Sequence, residues 1–474
     1  MRVPDPLQVD HDVPAAVEAH LAAVLGRRTE EAPAVDPEFA ADIAGRVADF
    51  ALTGGRRLRA EFLWWAMRGC GGGAAETPSA LGVAAALELV QTCALIHDDV
   101  MDGSPLRRGR PAVHVGLDAR FGTRARELPC GTFGAAAAVL AGDLALAWAD
   151  DVFAESVGGR PPAARAAAVW RAMRTEMVAG QYLDLRSRAT GDRSAGRAER
   201  TAVLKTALYS VGHPLVLGAT LAGAPGDTAR RLREAGRSAG LAFQLYDDVR
   251  GAFGDPAATG KPAGEDIREG RATYLLAVAG ERCAELGDRA GLDLLERITG
   301  GPGRAGARAA GSGSDGFGPE GSLPDGLRAD GAPPAGPPAP GARGAGPRAT
   351  EEDVRRVLDL LVTCGARDRV ARRIEELCGR GAEAVARTGL SPEAADRIGA
   401  LFRRACGLDP SPAGGSSSVG GPASAGRPAP AGDSSSTGRP ASAGGPASTG
   451  GPPPTGAPAP AAGGPVPVLT GEAR

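Results

Sequence analysis

Carboxylate side chains stand at two places in the chain in a pattern that suits a divalent cation. The two motifs read LIHDDVMD and QLYDD, and their acidic residues are Asp98, Asp99, Asp102, Asp247 and Asp248. On a helix, residues four positions apart, such as Asp98 and Asp102, project from the same face. Carboxylates that close repel one another. A hard cation such as Mg²⁺ would keep them ionised together, and a diphosphate would complete its coordination shell.

Basic side chains lie close to both acidic motifs along the chain. A GGRRLR segment precedes the first motif, an RRG segment follows it, and single lysines stand between the motifs and after the second. The residues concerned are Arg56, Arg57, Arg59, Arg107, Arg108, Lys205 and Lys261. Acidic clusters interleaved with arginine and lysine favour a site for a metal ion and phosphate groups. The net charge of −2, from 54 basic and 56 acidic residues, gives no field that would attract nucleic acid.

The order of short motifs along the chain resembles that of one enzyme family. The motifs run GGxRxR, LIHDDxxD with RRG, GDxL, GQxxDL, KT, FQLxDD and GDPxxTGKPxGxD. In this order they resemble the trans-isoprenyl diphosphate synthases, the polyprenyl synthetase family, over about residues 13–300 and again over about 350–407. One DDxxD motif alone also occurs in terpene cyclases, so the resemblance depends on the ordered set.

The resemblance implies a Mg²⁺-dependent prenyltransferase that joins an allylic diphosphate to isopentenyl diphosphate, head to tail and in trans. The five aspartates of the two motifs would hold about two or three Mg²⁺ ions. The allylic diphosphate would contact Arg107, Lys205, Thr206, Gln244, Lys261 and Arg271. Isopentenyl diphosphate would contact Arg56, Arg59, Gln91 and Arg108. The residues expected to act directly in catalysis are Asp98, Asp102, Lys205, Thr206, Gln244 and Lys261.

The expected chemistry depends on the leaving group. Diphosphate leaves the allylic carbon readily only when its developing charge is neutralised, which a metal ion and basic side chains would do. The double bond of isopentenyl diphosphate then attacks the allylic cation. By the same resemblance, Thr206 and the carbonyl dipole of Gln244 stabilise that cation. The released diphosphate, rather than a histidine, is the expected base for the final proton.

Three positions depart from the family pattern. Arg56 replaces the lysine of a GGK motif and Arg271 replaces a lysine near the end of the second block. Both changes keep the positive charge and add donors that suit phosphate. Gly251 stands where many members have a third aspartate in the second motif, and Asp255 is too far along the helix to replace it. We therefore expect one Mg²⁺ to be held more loosely.

The length of the product should depend on the helix face below the first acidic motif, because the growing chain would run along that face. Cys93 and Ala94 stand five and four residues before Asp98, and both are small. Trp148 and Phe153 are candidates for the residue that closes the far end of the cavity and so limits chain length. Since no aromatic residue blocks the cavity near the aspartates, we expect a product of twenty carbons, geranylgeranyl diphosphate. A longer polyprenyl diphosphate is the alternative.

Strand signals are almost absent, because aromatic residues make up 4% of the chain and β-branched runs are few. The sequence predicts an all-α protein. The resemblance implies a large helical bundle around a central cavity, the isoprenoid synthase type, usually as a homodimer. Ser391 should cap the last helix, with Pro392 in its first turn. The other clear helical segments span residues 81–101, 163–185, 199–221, 228–249, 354–361 and 368–386.

Glycine and proline, with 71 and 39 residues, are concentrated in the segments 301–349 and 408–474. Neither segment has enough apolar residues to offset the entropy of ordering it. We expect a disordered insertion and a disordered, low-complexity tail. The synthase domain should then span 13–407 with the insertion inside it, behind a flexible amino terminus over residues 1–12.

Targeting signals are not evident in the sequence. The most apolar candidate for a membrane span, residues 133–149, is interrupted by Asp143 and falls short of about 20 apolar residues. The acidic amino terminus does not resemble a signal peptide. The seven cysteines are scattered without CxxC spacing. These features favour a protein without a transmembrane segment in a reducing cytoplasm.

Two other functions remain open from the sequence. A terpene cyclase would share the DDxxD motif, but it should carry an NDxxSxxxE-like second motif, which the sequence lacks, and it has no use for a second basic pocket. A non-catalytic subunit of a heteromeric synthase would typically lose the first acidic motif, which is intact. His97 points roughly 100° away from Asp98 on a helix and is not expected to bind the metal.

Overall fold

The computed structural model describes residues 4–122, 128, 131–255, 263–299 and 349–409. Helices make up 80% of the structure and there is almost no sheet, which confirms the predicted all-α class. Lys261 and nearly all of the two glycine- and proline-rich segments lie outside the described residues. The domain boundaries that were drawn around those segments therefore stay predictions.

Nine α-helices, numbered in chain order, are described up to residue 190. They are α1 (Pro6–His11), α2 (Val13–Glu31), α3 (Pro37–Phe39), α4 (Gly45–Leu52), α5 (Leu58–Gly69), α6 (Thr77–Asp102), α7 (Val113–Phe121), α8 (Phe133–Val157) and α9 (Ala163–Thr190). A 3₁₀ turn (Ala32–Ala34) and a π-helical stretch (Ala40–Ala44) lie between α2 and α4. Between α6 and α7, the two-residue strands β1 (Leu106–Arg107) and β2 (Arg110–Pro111) form an antiparallel hairpin.

The described residues after position 190 form a further set of helices. They are α10 (Ala195–Ala202), a π-helix over Val203–Gly212, α11 (His213–Leu221), α12 (Gly226–Phe253), α13 (Glu265–Arg268), α14 (Tyr274–Leu286), α15 (Arg289–Thr299), α16 (Glu351–Thr363), α17 (Ala366–Ala386) and α18 (Pro392–Ala405).

Helix α6 passes through the hydrophobic core and carries the first acidic motif at its end. Every residue from Ser79 to Val90 is buried. A helix that is apolar on all sides must be surrounded by others, and α2, α5 and α8 pack against it. It ends at Gly103, whose φ of +62° is the left-handed conformation that glycine adopts without a steric penalty. The acidic motif therefore lies on the last turns of a firmly anchored helix.

Helix α12 carries the second acidic motif and packs against the π-helix, α11 and α17. Two glycines make the closest approach possible. A Cβ atom at Gly236 would overlap the backbone at Gly212, and one at Gly240 would overlap the backbone at Ala207. Because the π-helix also carries Lys205 and Thr206, this close packing determines where those side chains lie.

The last two helices pack back onto the core. The backbone N–H of Ser391 donates to the carbonyl of Gly69 at the end of α5, at 3.0 Å. The Ser391 hydroxyl accepts from the N–H of Ala394 at 3.4 Å, which confirms the predicted amino-terminal cap of α18. The ring centroid of Phe402 lies 5.5 Å from that of Phe62 on α5. Residues 349–409 therefore contribute to the same core as α5.

The predicted helical segments are confirmed with one difference. The segment 199–221 forms the end of α10, a π-helix and α11 rather than one continuous α-helix. Apolar spacing does not distinguish these states, because a π-helix changes the hydrogen-bond partner by one residue without changing composition. The short hairpin after the first acidic motif was also not predicted.

Two described helices, Thr77–Asp102 and Phe133–Val157, are long and apolar enough to cross a membrane by length and composition alone. The expectation that no segment has the length and apolar composition of a membrane span was therefore wrong. The most apolar window of the first helix is 83% buried inside the protein, as in the core helix of a soluble protein, and that of the second is 44% buried.

Candidate active site

The first acidic motif presents Asp98 to basic side chains from other elements. Its Oδ1 accepts hydrogen bonds from Lys205 Nζ at 3.0 Å and from Gln181 Nε2 at 3.1 Å. Burial alone would raise the pKa of Asp98, but Lys205, Arg271 and Arg107 outweigh it and hold the pKa below its ordinary value. Asp98 is therefore ionised at neutral pH.

The other two aspartates of this motif meet different arginines. Asp99 is fully buried and accepts a hydrogen bond from Arg107 Nε on the hairpin at 2.9 Å. The Oδ1 atom of Asp102 lies 2.6 Å from Nη2 of Arg188, and its Oδ2 atom lies 2.6 Å from Nη2 of Arg271. As the spacing predicts, Asp98 and Asp102 lie on one side of α6, whereas Asp99 faces the hairpin.

Arg188 is a site residue that the sequence analysis did not identify. It lies on α9, four residues after Asp184, and its Nη2 atom lies 3.3 Å from Oδ2 of that aspartate. Burial would lower the pKa of Arg188, but Asp102 and Asp184 raise it. The sequence did hold a signal for this residue. Arg188 stands four positions after Asp184 of the GQxxDL motif, and side chains at that spacing meet on one face of a helix.

Lys205 links the first acidic motif to α9. Its Nζ atom lies 3.0 Å from Asp98 Oδ1 and 2.9 Å from Asp184 Oδ2, so the partly buried Asp184 of the GQxxDL motif is a second partner of this lysine. The π-helix comes close to α9 at Gly180, where a Cβ atom would overlap the backbone of Lys205. Burial would lower the pKa of Lys205, but the two aspartates raise it, so the ammonium group keeps its charge. Thr206 follows it on the same π-helix and is partly buried.

The second acidic motif lies near the end of α12. Gln244 Nε2 donates to Asp248 Oδ1 at 2.8 Å, and Asp247 is more exposed. Burial, followed by the carboxylate of Asp266, raises the pKa of Asp248 well above its ordinary value, and Asp247 adds to this effect. A carboxylate in such surroundings is stabilised as the anion by any cation that binds beside it. Lys261, the predicted lysine of this region, lies outside the described residues.

The carboxylates suit Mg²⁺ by their chemistry rather than as a preformed cage. Within the described ranges, no group of three or more histidine, cysteine, aspartate or glutamate side chains stands together as a metal site. Mg²⁺ is usually held by one or two carboxylates together with substrate phosphates and water. Asp98, Asp102 and Asp248 provide such oxygen donors, and a diphosphate would have to supply the remaining ligands.

A second cluster of arginines comes from the loop before α5, from the first turn of α5 and from the hairpin. Their guanidinium carbons lie over aromatic rings: Arg56 over Phe243 at 5.7 Å, Arg59 over Tyr209 at 4.4 Å and Arg108 over Phe50 at 5.4 Å. Burial and then Arg250 lower the pKa of Arg56, and burial and then Arg57 lower that of Arg108. The charged forms of these crowded arginines are disfavoured. An anion such as a diphosphate would stabilise the charged forms if it bound among them.

Gln91 and Arg59 reach this cluster through contacts with the π-helix. The Tyr209 hydroxyl donates to Gln91 Oε1 at 2.8 Å, and Arg59 Nη2 donates to Ser210 Oγ at 2.8 Å. The four residues predicted to bind isopentenyl diphosphate thus lie on α6 (Gln91), in the hairpin (Arg108), in the loop before α5 (Arg56) and in the first turn of α5 (Arg59).

Arg57 has a different position from its neighbours Arg56 and Arg59. It is buried, with Nη1 lying 2.6 Å from Glu88 Oε2 and Nη2 donating to the carbonyl of Ala51 at 3.0 Å. Its φ of +51° is unusual for a residue other than glycine, and such backbone is found where surrounding contacts hold it. Arg57 therefore anchors the loop to α6 and is not available to a substrate.

The predicted chain-length residues point in different directions. Cys93 is buried, with Sγ 3.7 Å from Nδ1 of His97, whose Nε2 lies 3.0 Å from the carbonyl of Val139 on α8. Ala94 lies four residues before Asp98 on the same face and is partly exposed. Trp148 is buried on α8. The effect of Cys93, Ala94 and Trp148 on product length stays a prediction.

Comparisons with known proteins agree on one family. Residues 42–297 match the model of the polyprenyl synthetase family. The chain is 32% identical over 264 residues to a geranylfarnesyl diphosphate synthase of Aeropyrum pernix, covering 54% of this chain and 77% of that protein. It is 33% identical over 238 residues to a geranylgeranyl diphosphate synthase of Methanosarcina mazei, covering 49% and 66%.

The structural comparison points the same way. A geranylgeranyl pyrophosphate synthase of Corynebacterium glutamicum, crystallised with isoprenyl diphosphate and magnesium, is 30% identical in sequence. It matches with a TM-score of 0.68 over 83% of this chain and 98% of that chain.

Proposed function

This chain belongs to the polyprenyl synthetase family, whose members are prenyltransferases, and we propose that it makes geranylgeranyl diphosphate (C20). The substrates are isopentenyl diphosphate and an allylic diphosphate, namely dimethylallyl, geranyl or farnesyl diphosphate. They are joined head to tail with trans geometry. The observation that supports this function best is the contact of Lys205 and Arg271 with Asp98 and Asp102, which brings basic side chains beside the carboxylates of the first motif.

The cluster with carboxylates suits the substrate that loses its diphosphate. Lys205 and Arg271 contact Asp98 and Asp102 and so lie where a metal-bound diphosphate would be held. Bound Mg²⁺ supplies Lewis-acid neutralisation of the leaving diphosphate. Lys205, Arg107 and Arg271 provide further positive charge, and Thr206 and the Gln244 carbonyl stabilise the allylic cation.

The second cluster suits the substrate that keeps its diphosphate. Arg56, Arg59 and Arg108 lie over aromatic rings, and Arg59 also donates to a neutral hydroxyl. Because isopentenyl diphosphate loses no leaving group, it needs charge complementarity and no metal. The diphosphate released at the first cluster removes the final proton.

The proposed product length rests on the face of α6 below the metal-binding aspartates. Ala94, four residues before Asp98 on that face, is small and partly exposed, which favours a chain that grows beyond fifteen carbons. Relatives at about the same identity are named as makers of geranylgeranyl and of geranylfarnesyl diphosphate, so a product of twenty-five carbons is the second candidate.

We also propose that the enzyme is a homodimer. Leu140 on α8 is 62% exposed, and Val178 and Tyr182 on α9 are 62% and 63% exposed. Apolar side chains at that level of exposure on two long helices favour a protein partner, and a second copy of the chain is the simplest one. Light scattering after size-exclusion chromatography should give twice the mass of the chain.

The test of the function is product analysis. Radiolabelled isopentenyl diphosphate is supplied with each allylic primer in turn and the products are separated by chain length. We expect C20 diphosphate from every primer and none from an Asp98→Ala variant. Release of a hydrocarbon from the primer without isopentenyl diphosphate would instead indicate a terpene cyclase. Activity only with an added partner protein would indicate a subunit of a heteromeric synthase.

A further inference from the structure

The carboxylate of Asp102, the last aspartate of the first acidic motif, is enclosed by two arginines. Its Oδ1 atom lies 2.6 Å from Nη2 of Arg188, and its Oδ2 atom lies 2.6 Å from Nη2 of Arg271. The side chain of Asp102 has no exposed surface. Two like charges therefore face one carboxylate, which can neutralise only one of them. A cation that binds Asp102 has to displace one of the two guanidinium groups.

The two arginines are held to different degrees. Arg271 has further carboxylate partners, with its Nε atom 2.6 Å from Oε2 of Glu269 and 3.4 Å from Oδ1 of Asp266. Arg188 has one further carboxylate partner within the described ranges, Asp184, whose Oδ2 atom lies 3.3 Å from its Nη2. The Nε atom of Arg188 is buried and has no hydrogen-bond partner in the described part of the chain. Arg188 is therefore the arginine that leaves Asp102 at the lower cost.

Asp184 gives a displaced Arg188 a place to bind. The two residues stand four positions apart on α9, so their side chains lie on one face of that helix. Oδ2 of Asp184 also lies 2.9 Å from Nζ of Lys205, whose other carboxylate partner is Asp98 at 3.0 Å. Lys205 and Arg188 thus link Asp98 and Asp102 on α6 to a single carboxylate on α9. If a diphosphate takes Lys205, Asp184 is left with Arg188 as its partner.

We propose that Arg188 is an internal counterion of Asp102 that competes with Mg²⁺ for this carboxylate. When a Mg²⁺ diphosphate binds, the guanidinium group moves from Asp102 to Asp184. Mg²⁺ alone has to break the ion pair without compensation, whereas a diphosphate that binds the cations of the site lowers that cost. The metal therefore binds weakly until a diphosphate arrives. This inference rests on the proposed function and adds to it a residue that makes metal binding depend on the diphosphate.

The experiment is a calorimetric titration of Mg²⁺ into the full chain, without and with a fixed concentration of inorganic pyrophosphate, after subtraction of protein-free titrations. The unmodified protein should bind Mg²⁺ weakly alone and more tightly with pyrophosphate. In Arg188→Gln, Asp102 keeps Arg271 but loses the competing cation. We expect Mg²⁺ alone to bind this variant about 10-fold more tightly, the size of one hydrogen bond between charged groups. The gain in affinity on adding pyrophosphate should shrink, because the competition that pyrophosphate relieves is absent.

Arg186 offers a matched control. It is exposed and stands two residues before Arg188 on α9, a spacing at which side chains do not share a helix face. Arg186→Gln removes the same charge from the same helix and should bind Mg²⁺ as the unmodified protein does. Arg188→Lys keeps the charge but presents it as a single ammonium group. Its affinity for Mg²⁺ should lie between those of the unmodified protein and Arg188→Gln.

Unchanged or weaker binding of Mg²⁺ alone to Arg188→Gln, or an equal gain in Arg188→Gln and Arg186→Gln, overturns the inference. Circular dichroism checks that each variant is folded. A crystal structure of the unmodified protein with Mg²⁺ and pyrophosphate gives a test that needs no variant. In that structure, Nη2 of Arg188 should lie within hydrogen-bond distance of Asp184 and no longer of Asp102. An Arg188 that still contacts Asp102 beside the bound metal contradicts the inference.

The same titration separates this inference from the proposed function. If the unmodified protein binds no Mg²⁺ with pyrophosphate and makes no prenyl product, the proposed function fails. If it binds and turns over normally while Arg188→Gln binds Mg²⁺ alone no more tightly, only the role of Arg188 fails.

Discussion

The Asp102 carboxylate, at the end of the first acidic motif, lies 2.6 Å from Nη2 of Arg271, which belongs to the segment after the second motif. This ion pair joins the two halves of the candidate active site. Asp98 forms a similar ion pair, in which its Oδ1 atom lies 3.0 Å from Nζ of Lys205. Asp98 and Asp102 are therefore each paired with a cation of the same site. Binding of a metal diphosphate would exchange these partners, the carboxylates for the metal and the cations for the phosphates.

Loss of a carboxylate from the first motif should stop turnover without unfolding the protein. We expect Asp98→Ala or Asp102→Ala to lower kcat by several orders of magnitude, because several kcal/mol of transition-state stabilisation depend on the metal. Asp227→Ala, which removes an exposed aspartate at the start of α12, is the control and should be fully active. Near-normal rates for the first two variants at saturating Mg²⁺ would contradict the metal assignment.

The stability of the protein should depend on Lys205 in a pH-dependent way. Because the folded-state pKa of Asp98 is lowered, its ion pair stabilises the fold above the ordinary aspartate pKa and is lost as the pH falls through the lowered value. Lys205→Gln should therefore lower the thermal midpoint at pH 7 and have a smaller effect in strong acid. Thermal unfolding at a series of pH values measures this, and a pH-independent difference would count against it.

Asp248 should behave in the opposite way. Its raised pKa means that the metal-free fold is favoured below the ordinary aspartate pKa and loses stability as the pH rises through the folded-state value. We expect Asp248→Asn to raise the thermal midpoint of the metal-free protein at neutral pH while it lowers activity. The gain should vanish near pH 3. A lower midpoint at pH 7 without metal would show that the carboxylate is stabilised in the fold.

The buried pair of Arg57 and Glu88 should contribute strongly to stability. Arg57→Met leaves a buried carboxylate without its main partner, and breaking such a pair typically costs about 3 to 5 kcal/mol. Arg57→Met/Glu88→Leu removes both charges and should recover much of that loss. Urea unfolding of the two variants gives the comparison. A double variant as unstable as Arg57→Met would show that other contacts of Arg57, such as Glu18, dominate.

Product length should respond to Ala94 and Cys93 differently. A phenyl ring at the partly exposed Ala94, on the face of Asp98, should shorten the product because a longer chain would have to displace it. Cys93 is enclosed and contacts His97, so Cys93→Phe should also overpack the core at a cost of about 1 to 3 kcal/mol. Chromatography of the products and thermal unfolding separate the two effects. An unchanged product from Ala94→Phe would show that another residue limits chain length, with Trp148 as the next candidate.

Much of the fold and of the candidate metal site could be predicted from local sequence. Helix α6 is apolar on every side, and this property depends on composition over a few turns, so its burial was predictable. The same is true of the cap at Ser391, which needs one hydroxyl at one position. The pairing of Asp98 with Asp102 on one helix face follows from helical geometry alone.

The roles of neighbouring residues depended on the tertiary structure instead. Arg56, Arg57 and Arg59 are chemically alike in sequence, yet Arg57 turns into the core because its backbone is left-handed and Glu88 lies opposite it on α6. Cys93 and Ala94 are adjacent, but a rotation of about 100° per residue directs Cys93 toward His97 and Ala94 to the face of Asp98.

The sequence by itself determined which residue types could bind a metal diphosphate and on which helices they stand, because those properties are local. Only the tertiary structure decided which charges meet. Arg188 reaches Asp102 from another helix, and Asp266 comes to Gly251 through a chain reversal at Gly264. Such contacts join residues far apart in the chain, and no periodicity or spacing records them, because packing of whole helices determines where the side chains come to lie.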